Sequence, residues 1–224
     1  MKRVAKSKSK YARNYATKVL NYIQKELRED YKFNFRLVGS AVWNTIIEDN
    51  EGFWDLDYQI ILTPNSKEYK RNSLSNPTKI KEDFFNCLNN KYKDKKTYRV
   101  ENSTTAITLI DLSQKYSIDL VIIKLYPENN QIIRRNNQRN SSINNYTWNT
   151  LPKLNNAYSL IKDFSSFEKQ DLIENYILPR KFKEKSKSDN DPSKKSSCEL
   201  FIEEVNNYEN RRRNHWLWKK YKRN

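Results

Sequence analysis

The chain has 224 residues, 36% of them hydrophobic, 31% charged and 13% aromatic, with a formal net charge of +16. That length suits one globular domain or one core with a small appendage, and the aromatic share, led by 15 Tyr, argues for a packed core rather than a disordered basic tail. No stretch approaches the ~20 apolar residues of a membrane span, and no apolar run follows the charges of Met1-Lys2-Arg3-Val4-Ala5-Lys6.

Two isolated cysteines, Cys87 and Cys198, and a single His, His215, exclude a disulfide framework and His-clustered metal sites. An intracellular, cytoplasmic chain without membrane contact is expected. There are only two glycines, Gly39 and Gly52, where average usage would give about 16. Gly-rich phosphate loops are thereby excluded.

In chain order, Tyr11, Tyr15, Val19, Tyr22, Ile23 and Leu27 recur at steps of three and four and predict an amphipathic helix over 9–29. Phe33, Phe35 and Leu37 alternate into Val38-Gly39-Ser40, a short strand. Asp55 to Leu62 reads as a second strand, closed by Thr63-Pro64-Asn65. A helix is expected over 77–93, then strands over 105–111 and 116–123, then a polar Asn/Arg-rich stretch over 128–146. Beyond Leu151-Pro152 the pattern turns helical, over 153–164, 166–178 and 197–213, with a mobile loop expected over 185–195. The order implies an α+β fold, a mixed sheet flanked by helices. Residues 1–150 form the core and residues 151–224 a short helical region.

The basic excess is concentrated. Residues 1–32 carry ten Lys or Arg against three acids, 180–195 carry seven against three, and 208–224 carry seven against one. Such segments neutralise phosphates, and the aromatics within Arg211 to Arg223 could stack on bases, so RNA or another polyanion is an expected partner of the termini.

Three acids stand where apolar residues are expected. Asp55 and Asp57 head an otherwise apolar strand, and period two places both on one face, about 6.6–7 Å apart along it. Asp119 lies mid-strand between Ile118 and Leu120. If the two strands are neighbours, three carboxylates meet on one patch, a costly arrangement that a divalent cation relieves. Upstream, Gly39 and Ser40 at the start of a helix offer a close backbone approach, N–H groups and a hydroxyl to a phosphate. The expected metal ligands are therefore Asp55, Asp57 and Asp119, with Mg²⁺ or Mn²⁺ as the ion.

Val38-Gly39-Ser40, Asp55-Leu56-Asp57-Tyr58 and Ile118-Asp119-Leu120 together resemble the nucleotidyltransferase superfamily that includes DNA polymerase β. The match covers about residues 30–125. Within it the chain is most similar to small stand-alone bacterial and phage nucleotidyltransferases related to the cyclic GMP–AMP synthase and oligoadenylate synthase branch. Thr45, five positions after Ser40, the Trp148-Asn149-Thr150-Leu151-Pro152 segment and the Ser196-Ser197-Cys198-Glu199 helix start also fit that branch. The chain departs from it in having Trp43-Asn44 in place of Arg-Gly, fourteen residues between Ser40 and Asp55, and a shorter helical part.

The resemblance implies a nucleotidyltransferase core in which Asp55, Asp57 and Asp119 are catalytic and bind metal. Gly39, Ser40, Thr45, Lys181 and Ser197 would contact a nucleoside triphosphate, ATP among the expected donors. The expected reaction is template-independent transfer of a nucleoside monophosphate to a hydroxyl acceptor, RNA first. The alternatives are synthesis of a small cyclic or linear oligonucleotide signal, and a non-catalytic nucleic-acid-binding protein of the same fold.

Overall fold

The computed structural model describes residues 2–63, 73–125, 130–136, 145–151, 157–188, 191 and 193–221, the side chains as far as Asn214. Helix α1 (Lys6–Glu26) buries Ala12, Ala16, Val19, Leu20 and Ile23, whose spacing of three and four makes one apolar stripe. Strands β1 (Lys32–Val38) and β2 (Trp54–Thr63) come next, separated by a 3₁₀ turn at Gly39–Ala41. Helix α2 (Pro77–Tyr92) starts on Asn76, whose side chain accepts from Lys79 N–H, with Pro77 at the first helical position. It turns Ile80, Phe84 and Leu88 inward.

Strands β3 (Tyr98–Asn102), β4 (Ala106–Asp111), β5 (Tyr116–Lys124), β6 (Gln131–Arg135) and β7 (Tyr146–Thr150) complete a seven-stranded sheet. Its main path runs β1-β2-β5-β4-β3; β6 pairs with the end of β5 and β7 pairs with β6. Among the described strands only β2 and β5 pair in parallel. Along β2 and β5 the apolar positions, Leu56, Ile60, Leu62, Ile118, Leu120 and Ile122, are buried in the core that α1 and α2 cover. The intervening positions, Asp55, Asp57, Gln59, Ser117, Asp119 and Val121, are half-buried on the opposite face.

That opposite face meets the helical end of the chain: α3 (Ala157–Leu160), α4 (Ser166–Leu172), a π-helical turn at Ile173–Ile177, α5 (Leu178–Lys185) and α6 (Ser197–Tyr221). A capping box between Ser165 and Glu168 starts α4. The π turn has a local cause: Pro179 has no N–H for the carbonyl four residues back and its ring needs the wider turn. Ala157, Ile161, Phe164, Leu172, Ile177, Phe201 and Val205 form a second apolar cluster, onto which Trp43 packs.

Several expectations are corrected. The 128–146 stretch contains β6 and the start of β7, and β3 lies just before the strand expected at 105–111. The helix expected over 166–178 continues through the π turn to Lys185, and α6 extends to Tyr221. Within the described part of the 185–195 segment, Asp191 accepts from Ser193 N–H, and Glu184 accepts from Lys195 N–H. No helix of the described residues is long and apolar enough to cross a membrane. Pro152 and the side chains of Trp216 and Trp218 lie outside the described residues.

Candidate active site

The register of the sheet places the acids. β2 and β5 pair in parallel with Asp57 opposite Asp119, while β1 runs antiparallel to β2 with Val38 opposite Asp57. The chain therefore leaves β1 directly beside Asp57, and the residue at that exit is Gly39. Gly39 has φ +68°, and an added Cβ would overlap Asp57 Oδ2 and lie 3.2 Å from Asp57 Cγ. Both the backbone conformation and the close carboxylate favour glycine here.

After Gly39 comes only a single 3₁₀ turn, Gly39–Ala41, where a helix was expected. Phosphate binding at this loop would therefore draw on its N–H groups and the Ser40 hydroxyl, not on a helix dipole. The loop closes on itself: the Ser40 carbonyl accepts from Thr45 N–H at 2.9 Å and from Thr45 Oγ1 at 3.3 Å. Asn44 takes the left-handed conformation, φ 55°, which Asn tolerates better than most residues. Thr45 is buried and its hydroxyl is spent on the loop, so it shapes the turn.

A cavity of about 630 Å³ opens over this face, within the range for small-molecule sites. Gly39, Ser40, Thr45, Asp55, Asp57, Lys181 and Ser197 all line it. Asp119 shares their face of the sheet, paired with Asp57 on β2 and Thr108 on β4, but is not among the residues that line the cavity.

Burial, followed by the charges of Asp55 and Asp119, raises Asp57 to about 7, with Lys181 pulling the other way. Burial likewise raises Asp119 to about 6 against the Thr108 hydrogen bond, helped by Asp55 and Glu101. One oxygen of Asp119, Oδ1, is buried without any hydrogen-bond partner.

The expected cage is thus only partly formed. The three acids share a face, and the charge of Asp55 raises both Asp57 and Asp119, yet among the described residues no three His, Cys, Asp or Glu side chains close into a ready metal-holding group. The donor set nevertheless suits a hard divalent cation: carboxylate oxygens only, costly to ionise alone, one of them with no other partner.

Lys181 is buried on α5 and donates from Nζ to the Thr45 carbonyl at 2.7 Å. Burial lowers it to about 8, opposed by the charges of Asp55 and Asp57. One turn on, Lys185 donates to the Ile47 carbonyl at 3.1 Å. This second lysine was missed in the sequence, although the i, i+4 spacing from Lys181 is a readable signal. Ser197 is exposed at the start of α6, next to the Ser196–Glu199 capping box.

The opposite wall is aromatic. Trp43 stacks on Phe201 with ring centroids 5.3 Å apart, and Tyr158 packs on Phe201 at 5.2 Å. All three line the cavity. The charge of Asp57 contributes to the raised Tyr158 phenol, after burial and Cys198.

Of the basic run Arg211 to Arg223, the side chains beyond Asn214 lie outside the described residues, and the three described arginines are paired with acids of the chain. Arg211 pairs with Glu204 and lies over the Tyr176 ring, Arg212 pairs with Glu168 and Glu209, and Arg213 pairs with Glu209.

The sequence matches no family model and no curated protein. Solved structures do match. The STING-associated CdnE c-di-GMP synthase from Capnocytophaga granulosa superposes with TM-score 0.58 at 22% identity, covering 91% of this chain and 60% of that one. Escherichia coli DncV in its 3'-deoxy GTP bound form superposes with TM-score 0.58 at 14% identity, covering 92% and 54%. Vibrio cholerae DncV, a cyclic AMP-GMP synthase described as a prokaryotic cGAS homolog, gives 0.52 at 16% identity, covering 80% and 45%. The chain spans about half to three fifths of the length of these structures. At such identities the likeness is one of fold: a mixed sheet with flanking helices, the nucleotidyltransferase architecture that the motifs around Gly39, Asp55, Asp57 and Asp119 resemble.

Proposed function

We propose that the protein is a nucleotidyltransferase that moves a nucleoside monophosphate from a nucleoside triphosphate to the hydroxyl of a second, small nucleotide. The observation that carries this reading is the packing of Asp57 between Asp119 on the neighbouring parallel strand and the left-handed Gly39 of the 39–45 turn, at the edge of a cavity of about 630 Å³.

In this reading the Gly39–Ser40 turn receives the β and γ phosphates, while Lys181, Lys185 and Ser197 face the triphosphate from the helical side. Asp55, Asp57 and Asp119 would hold Mg²⁺ or Mn²⁺, which would offset phosphate charge and acidify the attacking hydroxyl. Asp119, paired with Asp57 across the two strands, would help take up the hydroxyl proton. The acceptor oxygen bonds to the α-phosphorus as the bond to the bridging oxygen breaks, and pyrophosphate leaves. The aromatic wall of Trp43, Tyr158 and Phe201 offers π faces to a base.

Two observations support a nucleotide acceptor over RNA, the acceptor first expected. The structural neighbours are described as makers of c-di-GMP and cyclic AMP-GMP, and Arg211, Arg212 and Arg213 are engaged by acids of the chain itself. A polyanion partner keeps one support: Lys6, Lys10 and Arg13 of α1 line an open groove with Val42 and Asn44.

The test is to incubate the purified protein with each labelled triphosphate, singly and in pairs, with Mg²⁺ or Mn²⁺ and with or without total RNA. Label in a product the size of a di- or trinucleotide supports this reading; label only in long RNA returns the acceptor to RNA.

A further inference from the structure

The 44–47 segment, which closes the turn beside Asp57, presents a row of backbone carbonyls, and each is met by a donor from elsewhere in the chain. Asn44 O accepts from Arg3 Nε at 2.9 Å, Thr45 O from Lys181 Nζ, Ile46 O from Val4 N–H at 3.0 Å, and Ile47 O from Lys185 Nζ. The two lysines arrive from α5, on the cavity side. Arg3 and Val4 arrive from the N-terminal arm, held by the antiparallel bridge between Arg3 and Ile47 and by Glu48 N–H donating to the Lys2 carbonyl.

Arg3 makes a second side-chain connection. Its Nη1 contacts Glu174 Oε1 at 2.5 Å, and Glu174 belongs to the π turn whose Ile177 lines the cavity. One guanidinium therefore joins three separate parts: the arm, the left-handed Asn44 of the turn, and the helical wall. Its planar fork holds both acceptors at fixed angles, which a lysine ammonium does not reproduce.

We infer that Arg3 is the positioning residue of the phosphate turn: it fixes the left-handed Asn44 and ties the turn to the helical side of the cavity, so that the Gly39–Ser40 donors are preformed for a triphosphate. It touches neither the cavity nor the reacting atoms. The inference rests on the nucleotidyl-transfer reading for its consequence in binding, but not for its structural half.

The test compares wild type with Arg3→Ala, Arg3→Lys and Glu174→Gln, each checked for cooperative unfolding, in two measurements. In amide hydrogen exchange, Val42 to Thr45 should exchange at least tenfold faster in Arg3→Ala, and to a lesser degree in Arg3→Lys and Glu174→Gln, with α2 and β5 unchanged. In steady-state assays, the KM for triphosphate should rise about tenfold in Arg3→Ala with kcat within threefold of wild type. Unchanged exchange across the turn overturns the inference, as does faster exchange spread equally over the whole chain. Faster local exchange with an unchanged KM overturns its link to nucleotide binding. If wild type turns over no triphosphate, it is the transfer reading that fails, and the exchange measurement still decides the role of Arg3. Should Arg3→Ala not fold, Glu174→Gln tests the same connection from its other end.

Discussion

Gly39 lies directly against the Asp57 carboxylate: a methyl on Gly39 would overlap Asp57 Oδ2. The contact arises from the sheet register, which sets Val38 opposite Asp57 and leaves the next residue to turn across the carboxylate.

Gly39→Ala should therefore displace either the turn or the Asp57 side chain. The left-handed backbone alone costs about 1–2 kcal/mol with a side chain present. Transfer activity is expected to fall at least a hundredfold while the fold survives, as a circular dichroism melt beside a turnover assay would show.

The acids of the site make stability depend on pH in a defined direction. Asp57 and Asp119 are raised to about 7 and about 6 from an ordinary value of 3.8. Between those limits the native state binds more protons than the unfolded chain, so their contribution is present at low pH and is lost as pH rises toward 7. Melting temperatures measured without divalent ions from pH 4.5 to 7.5 should fall more in wild type than in Asp57→Asn/Asp119→Asn, by on the order of 5 °C. Adding Mg²⁺ at the upper pH should raise the wild-type value and leave the double variant unmoved.

Lys181 bears on both the turn and the acids. Lys181→Met strips the Thr45 carbonyl of its buried donor, a loss of about 1–3 kcal/mol, and removes the positive charge that eases ionisation of Asp57. Asp57 then moves higher still, so the acidic limb of the pH–activity profile should shift upward. The KM for triphosphate should rise at least tenfold, as a pH series of initial rates would report.

Trp43 joins the turn to the helical cluster through its stack on Phe201. Trp43→Ala should cost about 2–4 kcal/mol, and Trp43→Phe under about 1.5 kcal/mol, in urea unfolding. A loss below ~0.5 kcal/mol for the alanine variant would show that the stack holds nothing in place.

Much of this site could be read before any coordinates. Asp55 and Asp57 stood out because period two puts them on one face of an apolar strand, and Gly39 because the chain has so few glycines. Pairing was what stayed hidden. β6 and β7 are five residues each and carry Asn, Gln, Arg and Thr on a sheet margin, so their pattern resembles a polar loop until each finds the other. Nothing in the sequence shows that the Thr45 hydroxyl bonds the Ser40 carbonyl or that Lys181 spends one of its three donors on the Thr45 carbonyl. Likewise, Arg211 to Arg213 read as a free basic run because their partners, Glu168, Glu204 and Glu209, become neighbours only through helix packing and helical spacing.

Whether Asp57, set between Asp119 and the glycine turn, serves nucleotidyl transfer is decided by pyrophosphate release. The assay follows release from nucleoside triphosphates in the presence of Mg²⁺ or Mn²⁺, wild type against Asp57→Asn. Release by the folded wild type and a loss of at least a thousandfold in an equally folded variant are expected. Equal release by both proteins, or none by wild type with any triphosphate alone or paired, would refute that role.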